Sequence, residues 1–405
     1  MNNKRLQNIE AVLAKESLKA KADHVKNKDK SFNPEAFLNS GPLYEDLKCD
    51  LTNTPSSTKV MAYYLPQFYS FKENNEWWGN GFTEWQNVTR GRPRFDAHYQ
   101  PRLPKDLGYY DLKRTEVMHI QAELARKAGL HSWCFYYYRF GNKRLLDLPI
   151  NNFLAEPNID INFSLMWANE SWSRTWTEQS NEILIEQHHD PKYDIETIDD
   201  LARHFIDPRY MRVNGKPLFY IYRPSNIPNA KQRIEAWREL LWSRHSIEVN
   251  FQMAQVFGDR DPRPYGLDGA IEFPPHNLSS QTDVMADKLP GKSAEFSGRM
   301  MHYDTLIRRS LALAHPEYDL IKCITPNWDN EPRKPNSGLG YHGSTPAKYQ
   351  SWLEEIISYS QEHTVQGESI VCINAWNEWA EGAYLEPDIY YGSAYLNATA
   401  RALSK

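Results

Sequence analysis

The stretch Ile370–Asp388, IVCINAWNEWAEGAYLEPD, decides how the chain is read. Its first seven residues are nearly all apolar and run straight into Asn377, Glu378 and Trp379, with Glu381 and Glu386 close behind. An apolar run of this length, bounded by polar residues, is the pattern of a strand buried on both faces of a parallel sheet. Carboxylates are costly to desolvate, so three glutamates just beyond such a strand need either a solvated turn or a chemical task.

Working outward, the same pattern recurs. VMAYYLP (60–66), HSWCFYYY (131–138), INFSLMWA (161–168) and PLFYIYR (217–223) come first, then VNFQMAQVF (249–257), DGAIEFP (268–274) and IKCITPNW (321–328), which with IVCINAW (370–376) makes eight runs. Helical periodicity falls between them at 112–128, 195–205, 230–245, 301–314 and 346–363, and a last helix is expected at 393–403. Strands alternating with helices predict an α/β protein, a (β/α)8 TIM barrel. A doubly wound nucleotide-binding sheet would want a glycine-rich loop after its first strand, and YYLPQFYSF has none. Only GDRDPRPYG separates the fifth run from the sixth, which leaves little for a helix there.

Residues 1–58 are set apart as a lysine-rich helical extension and linker, leaving 59–405 as the barrel. The extension shows a helical rhythm at Leu6, Ile9, Val12 and Leu13, and its lysines fit either a solvated face or contact with another protein or a membrane surface. No apolar leader-like segment and no run near the roughly 20 apolar residues of a membrane span is present, so a cytoplasmic location is expected. Cys49, Cys134, Cys323 and Cys372 show no paired spacing and read as free thiols. A net charge of −5 gives no footprint for nucleic acid. The histidines show no metal-ligand spacing, and neither a metal nor a cofactor is expected.

In a barrel of this kind the active site lies at the C-terminal ends of the strands. That rim collects Tyr64, Gln67, Trp78, Glu84 and Trp85 from the first strand and its insertion, and Tyr137 from the second. The third contributes Trp167, Asn169, Glu170 and Trp172, and the sixth Glu272 and His276. Asn327, Trp328, Asp329 and Arg333 follow the seventh, with Asn377 and Trp379 after the eighth. Flat aromatic faces stack on sugar rings while carboxylates and amides bind hydroxyls, so an oligosaccharide or polysaccharide is the expected substrate.

Glycoside hydrolysis commonly uses two carboxyl groups flanking the scissile bond. Glu378 and Glu381 are three apart, and a helical turn after the last strand would set their Cβ atoms about 5–6 Å from each other. That spacing suits a retaining outcome, since inversion needs roughly 6.5–9.5 Å between carboxyls to seat a water. Close carboxylates between Trp376 and Trp379 would push one pKa upward, leaving one acid and one base. The bland alternative is a helix N-terminus stabilised by its dipole. Glu386 reads as structural, and Glu170 as the rival for a catalytic role.

The motifs AYYLPQF, WWGNGFTEW, WANESW, EFPPH, PNWDN and NAWNEWAEGAYLEPD together resemble the WbsX-type polysaccharide-biosynthesis proteins. Those proteins are related to glycoside hydrolase family 99, which contains endo-α-mannosidases. The resemblance covers about residues 59–405 and implies a metal-independent (β/α)8 barrel that retains anomeric configuration. Carried onto Asn377–Gly382, it makes Glu378 the base that deprotonates the sugar's own 2-hydroxyl, which then attacks the anomeric carbon. Glu381 becomes the general acid and, later, the base that activates water. The YYLPQF and GNGFTEW segments lie on the WbsX-like side of the relationship, where the family label is glycosyltransferase. Transfer in surface-polysaccharide (lipopolysaccharide, O-antigen) synthesis and non-catalytic glycan binding are the alternatives.

Overall fold

The computed structural model describes residues 3–26, 37–174, 182–280, 284–285 and 289–405, with side chains in the first helix described from residue 7 to 18. Eight parallel strands close into a barrel in chain order: β1 (Thr58–Tyr64), β2 (Ser132–Phe140), β3 (Asn162–Trp167), β4 (Lys216–Ile221), β5 (Asn250–Gln255), β6 (Gly269–Glu272), β7 (Asp319–Ile324) and β8 (Ser369–Ile373). Each strand pairs with the next, and β8 returns to β1 with Met61 opposite Cys372. Ten α-helices are described: α1 (Asn3–Lys26), α2 (Lys72–Trp78), α3 (Glu84–Val88), α4 (Thr115–Lys127), α5 (Leu148–Ala155), α6 (Asp194–Phe205), α7 (Ala230–His245), α8 (Tyr303–Ala312), α9 (Pro346–Glu362) and α10 (Ala394–Leu403). Between β5 and β6 there is only a short 3-10 turn, Arg263–Tyr265, in the segment whose prolines and aspartates discourage a helix.

Along the barrel strands side chains alternate between two cores, as the pleat requires. Met61 and Tyr63 on β1, Cys134 and Tyr136 on β2, and Cys323 and Cys372 on β7 and β8 fill the barrel interior. Val60, Ala62, Tyr64, Trp133, Phe135, Trp167 and Val371 face outward into the layer under the helices. All four cysteines are free thiols, three of them in that interior.

The extension is packed onto the barrel. Ile9 and Leu13 of α1 are buried in the outer core. Glu10 pairs with Arg308 of α8, and Ser17 donates to Asp304 on the same helix. Phe37 packs against the rings of Tyr99 and Tyr390, tilted on the first and edge-on to the second, and Asn397 of α10 accepts from the backbone of Lys48 and Cys49. Among the described residues no helix is long and apolar enough to cross a membrane.

Candidate active site

The segment after β8 turns differently from a helix. Asn377–Glu378 pairs antiparallel with Ala383–Tyr384, and Trp379–Glu381 forms a 3-10 turn between them. Gly382 closes the turn at φ +63°, where a Cβ would also lie 2.9 Å from the Arg102 guanidinium, so glycine is required twice over. Asn377 holds this hairpin to the end of β1, accepting from Leu65 N at 2.7 Å and donating to Leu65 O at 3.0 Å.

Arg333 binds both candidate catalytic carboxylates. It donates to Glu378 Oε2 at 3.0 Å and to Glu381 Oε1 through its two terminal nitrogens, and its Nε reaches Glu84 Oε1 at 2.9 Å. A planar guanidinium fork thus sets Glu378 and Glu381 side by side. Glu84, 1% exposed at the start of α3, has its other oxygen occupied by Asn87 Nδ2 at 2.9 Å. Burial pushes Glu378 up to about 8, against the opposing Arg333 charge and reinforced by Glu381 and Glu84. Burial likewise raises Glu381, with Arg333 opposing.

Glu378, Glu84 and the Arg333 that also holds Glu381 line a cleft with about 750 Å³ of empty space, together with Gln67, Trp78, Tyr138 and Trp172, among others. Trp172 meets Tyr138 edge-on at 5.1 Å, and Arg174 lies over Trp78 at 5.3 Å. Burial, then the Glu378 charge, drives the phenols of Tyr136 and Tyr138 well above their ordinary range, so both stay neutral donors. Burial, then the charges of Glu170 and Glu381, raises the Tyr222 phenol well above its ordinary range. Glu170 itself is paired with Arg223 at 2.8 Å, and His276 lies 4.6 Å from the exposed Phe257 ring. Burial and Arg223 lower the His276 imidazole to about 4, so it is neutral at ordinary pH.

Other residues expected at the rim are elsewhere. Tyr64, Tyr137 and Trp167 have the outward parity of their strands: Tyr64 donates to Gln121 of α4, Tyr137 to Asp200 of α6, and Trp167 packs on Trp237 of α7. Trp85 is wedged between Phe68, Tyr110 and Trp379, and Trp379 stacks on Tyr384 at 3.8 Å. Glu272 also points outward, into a buried ion pair with Lys322 under α8. Tyr64, Tyr137, Trp167 and Glu272 thus face away from the barrel interior on their strands, while Trp85 and Trp379 pack on each other between α3 and the hairpin. Asn169 staples β3 to β4 through the backbone of Arg223, and Asn327 caps its own loop by accepting from Trp328 N. Trp328 is buried near His276, 6.4 Å away. Asp329 binds His98 and Gln100, each at 2.8 Å; against its burial, His98, Arg102 and Gln100 hold its carboxyl down to about 2. Glu386 is buried and accepts from Trp379, Gln121 and Tyr110; burial raises it to about 7 despite those donors. Thr175 and Trp176, which follow the WANESW segment after Ser173 and Arg174, lie outside the described residues.

The reading of the sequence passed over Asn74, Phe82, Asn87 and Leu184 among the lining residues, and Tyr136 and Tyr222 beyond them. Tyr136 and Tyr222 share the interior parity of Tyr63 and Tyr220, which no polar alternation in these apolar runs reveals.

The fold resembles that of an endo-alpha-mannosidase of family GH99 from Bacteroides thetaiotaomicron, with a TM-score of 0.52, 16% identity, and coverage of 85% of this chain and 96% of that one. A structure described as a glycoside hydrolase-like protein aligns with TM-score 0.55 and 16% identity over 92% of this chain and 99% of the other. In sequence, the protein WxcX of Xanthomonas campestris pv. campestris, described as uncharacterized, is 41% identical over 346 residues, 85% of this chain. The chain spans about half the length of that relative, 50%. A family model described as Glycosyltransferase WbsX matches residues 60–399, nearly the whole barrel, and the chain therefore belongs to the WbsX family.

Proposed function

We propose that the protein is a carbohydrate-active enzyme that cleaves α-linked glycans with retention, using Glu378 and Glu381 on a substrate seated against Trp78 and Trp172. The observation that carries this reading is the single guanidinium of Arg333 bound to both carboxylates at the wall of an aromatic cleft. Glu378 takes the proton of the sugar's 2-hydroxyl as O2 bonds to the anomeric carbon. The glycosidic bond breaks, and Glu381 passes its proton to the leaving oxygen. Water then opens the anhydro ring, giving its proton to Glu381 while O2 recovers one from Glu378. Burial raises both carboxyls, and two groups that share one clamp titrate as a pair, which supports a scheme in which one serves as acid and the other as base.

Two observations favour variants of it. Glu378 is the group raised to about 8, which suits the exchanged roles, with Glu378 as acid. The family description, a glycosyltransferase, favours passing the sugar to another acceptor. One experiment separates them: α-linked oligosaccharides and aryl α-glycosides are given to wild type, Glu378→Gln and Glu381→Gln in ¹⁸O-labelled water. Label at new reducing ends of the oligosaccharides, lost by about 10²-fold or more in both variants, is the expected outcome. Whichever variant keeps activity on aryl glycosides has lost the general acid, because a good leaving group needs no proton. Unlabelled, lengthened products would mean transfer, and full activity in both variants would remove the pair from the chemistry.

A further inference from the structure

Beside Glu378 the cleft runs under α2, and its lining there includes Asn74, a residue with no part in the scheme above. Asn74 is 0% exposed, yet neither Oδ1 nor Nδ2 meets a hydrogen-bond partner among the described residues. Buried polar groups are almost always paired, and one left open in a pocket wall marks a site where something else pairs it. Both atoms are unpaired, so exchanging oxygen and nitrogen leaves the same two groups to be satisfied. Trp78, one turn on and on the same face of α2, also lines the cleft and is half-buried, so a ligand that parts these side chains meets an indole face beside a carboxamide.

We propose that Asn74 is a specificity-determining residue that reads a vicinal diol of the sugar in this arm, stacked on Trp78. The inference rests on the carbohydrate reading of the cleft. The chemistry narrows the ligand. One edge of a primary amide presents a carbonyl lone pair beside an N–H, and two neighbouring ring hydroxyls supply a donor and an acceptor at matching spacing. The trans amide of an N-acetyl group presents its N–H and C=O on opposite edges and cannot satisfy both atoms at once. A carboxylate would pair with Nδ2 alone. Neutral, unsubstituted hydroxyls at two adjacent carbons are the group that completes Asn74.

The test is calorimetric and NMR-detected binding by the full chain, wild type and Asn74→Leu. The probes are the methyl α-pyranosides of mannose, glucose and galactose, with their monodeoxy and mono-O-methyl analogues. The expected result is that at least one parent glycoside binds wild type and weakens about tenfold when either of two neighbouring hydroxyls is removed. It binds Asn74→Leu about tenfold or more weakly, and deoxygenation at those carbons then costs nothing further. Asn74→Leu should also melt at or above the wild-type temperature, because an unpaired buried amide has been replaced by an apolar side chain of similar size. Unchanged affinity in Asn74→Leu, or a deoxygenation penalty that persists in full, would overturn the inference and leave the carbohydrate reading standing. A melting point several degrees lower with binding unchanged would make Asn74 a packing residue. Failure of every glycoside to bind wild type would overturn both.

Discussion

At Glu378 burial and charge act against each other. The side chain is 4% exposed and raised to about 8, while Arg333 pulls the other way. In the unfolded chain a glutamate titrates near 4.3, so between about pH 4.5 and 8 the folded protein holds a proton there that the unfolded one has lost. Stability therefore falls as pH rises through that window and levels off above it. Glu378→Gln removes the ionisable group and should be more stable than wild type at pH 8.5 by about 2–4 kcal/mol, with the difference shrinking toward pH 5. Urea unfolding across pH checks this; a difference independent of pH would mean that the carboxyl is not raised. The expected loss of turnover in the same variant fits a site where function is kept at some cost in stability.

Among the elements, the hairpin after β8 and the helix α1 carry separate tasks. The hairpin aims Glu378 and Glu381 at Arg333, while Asn377 ties it to β1 and Trp379 to the buried Glu386. α1 lies on the outside, with Leu13 fully buried. Leu13→Ala is expected to cost about 2–4 kcal/mol in chemical denaturation while leaving kcat/KM of the folded protein within about twofold. An unchanged midpoint would show that α1 does not pack in solution. The helices Ala230–His245 and Pro346–Glu362 start and end within a residue of where their periodicity places them, whereas α5 was overlooked because Leu148–Ala155 is mostly apolar and shows little amphipathic contrast. The spacing of Glu378 and Glu381 allows a helical turn after β8; the segment forms a 3-10 turn inside a hairpin, whose pairing depends on Ala383–Tyr384 folding back, which local spacing does not encode.

In the whole molecule the division is between inside and outside the barrel. Trp167 and Trp78 are both tryptophans of the rim region, yet one faces the helices and the other the cleft. Trp167→Leu should lower stability by about 2–4 kcal/mol with KM unchanged, and Trp78→Ala should raise KM about tenfold with little change in melting temperature. Thermal melts with steady-state kinetics on whichever glycan is turned over would show this, and the reverse pattern would mean that the two faces are exchanged.

The eight-strand rhythm and the Glu378–Glu381 segment were determined by sequence, because a long apolar run and a carboxylate are strong local signals. The glutamates' company, Arg333 and Glu84, was also legible as polar residues at strand ends. Which side of each strand faces the cleft was decided only in three dimensions. A strand buried on both faces has no polar alternation to give its parity, so Tyr64 and Tyr63 look alike until the barrel closes. The same closure decides the rest, for Arg333 meets carboxylates from two distant segments, and Asn74 is left open, only once α2 and the hairpin share one wall.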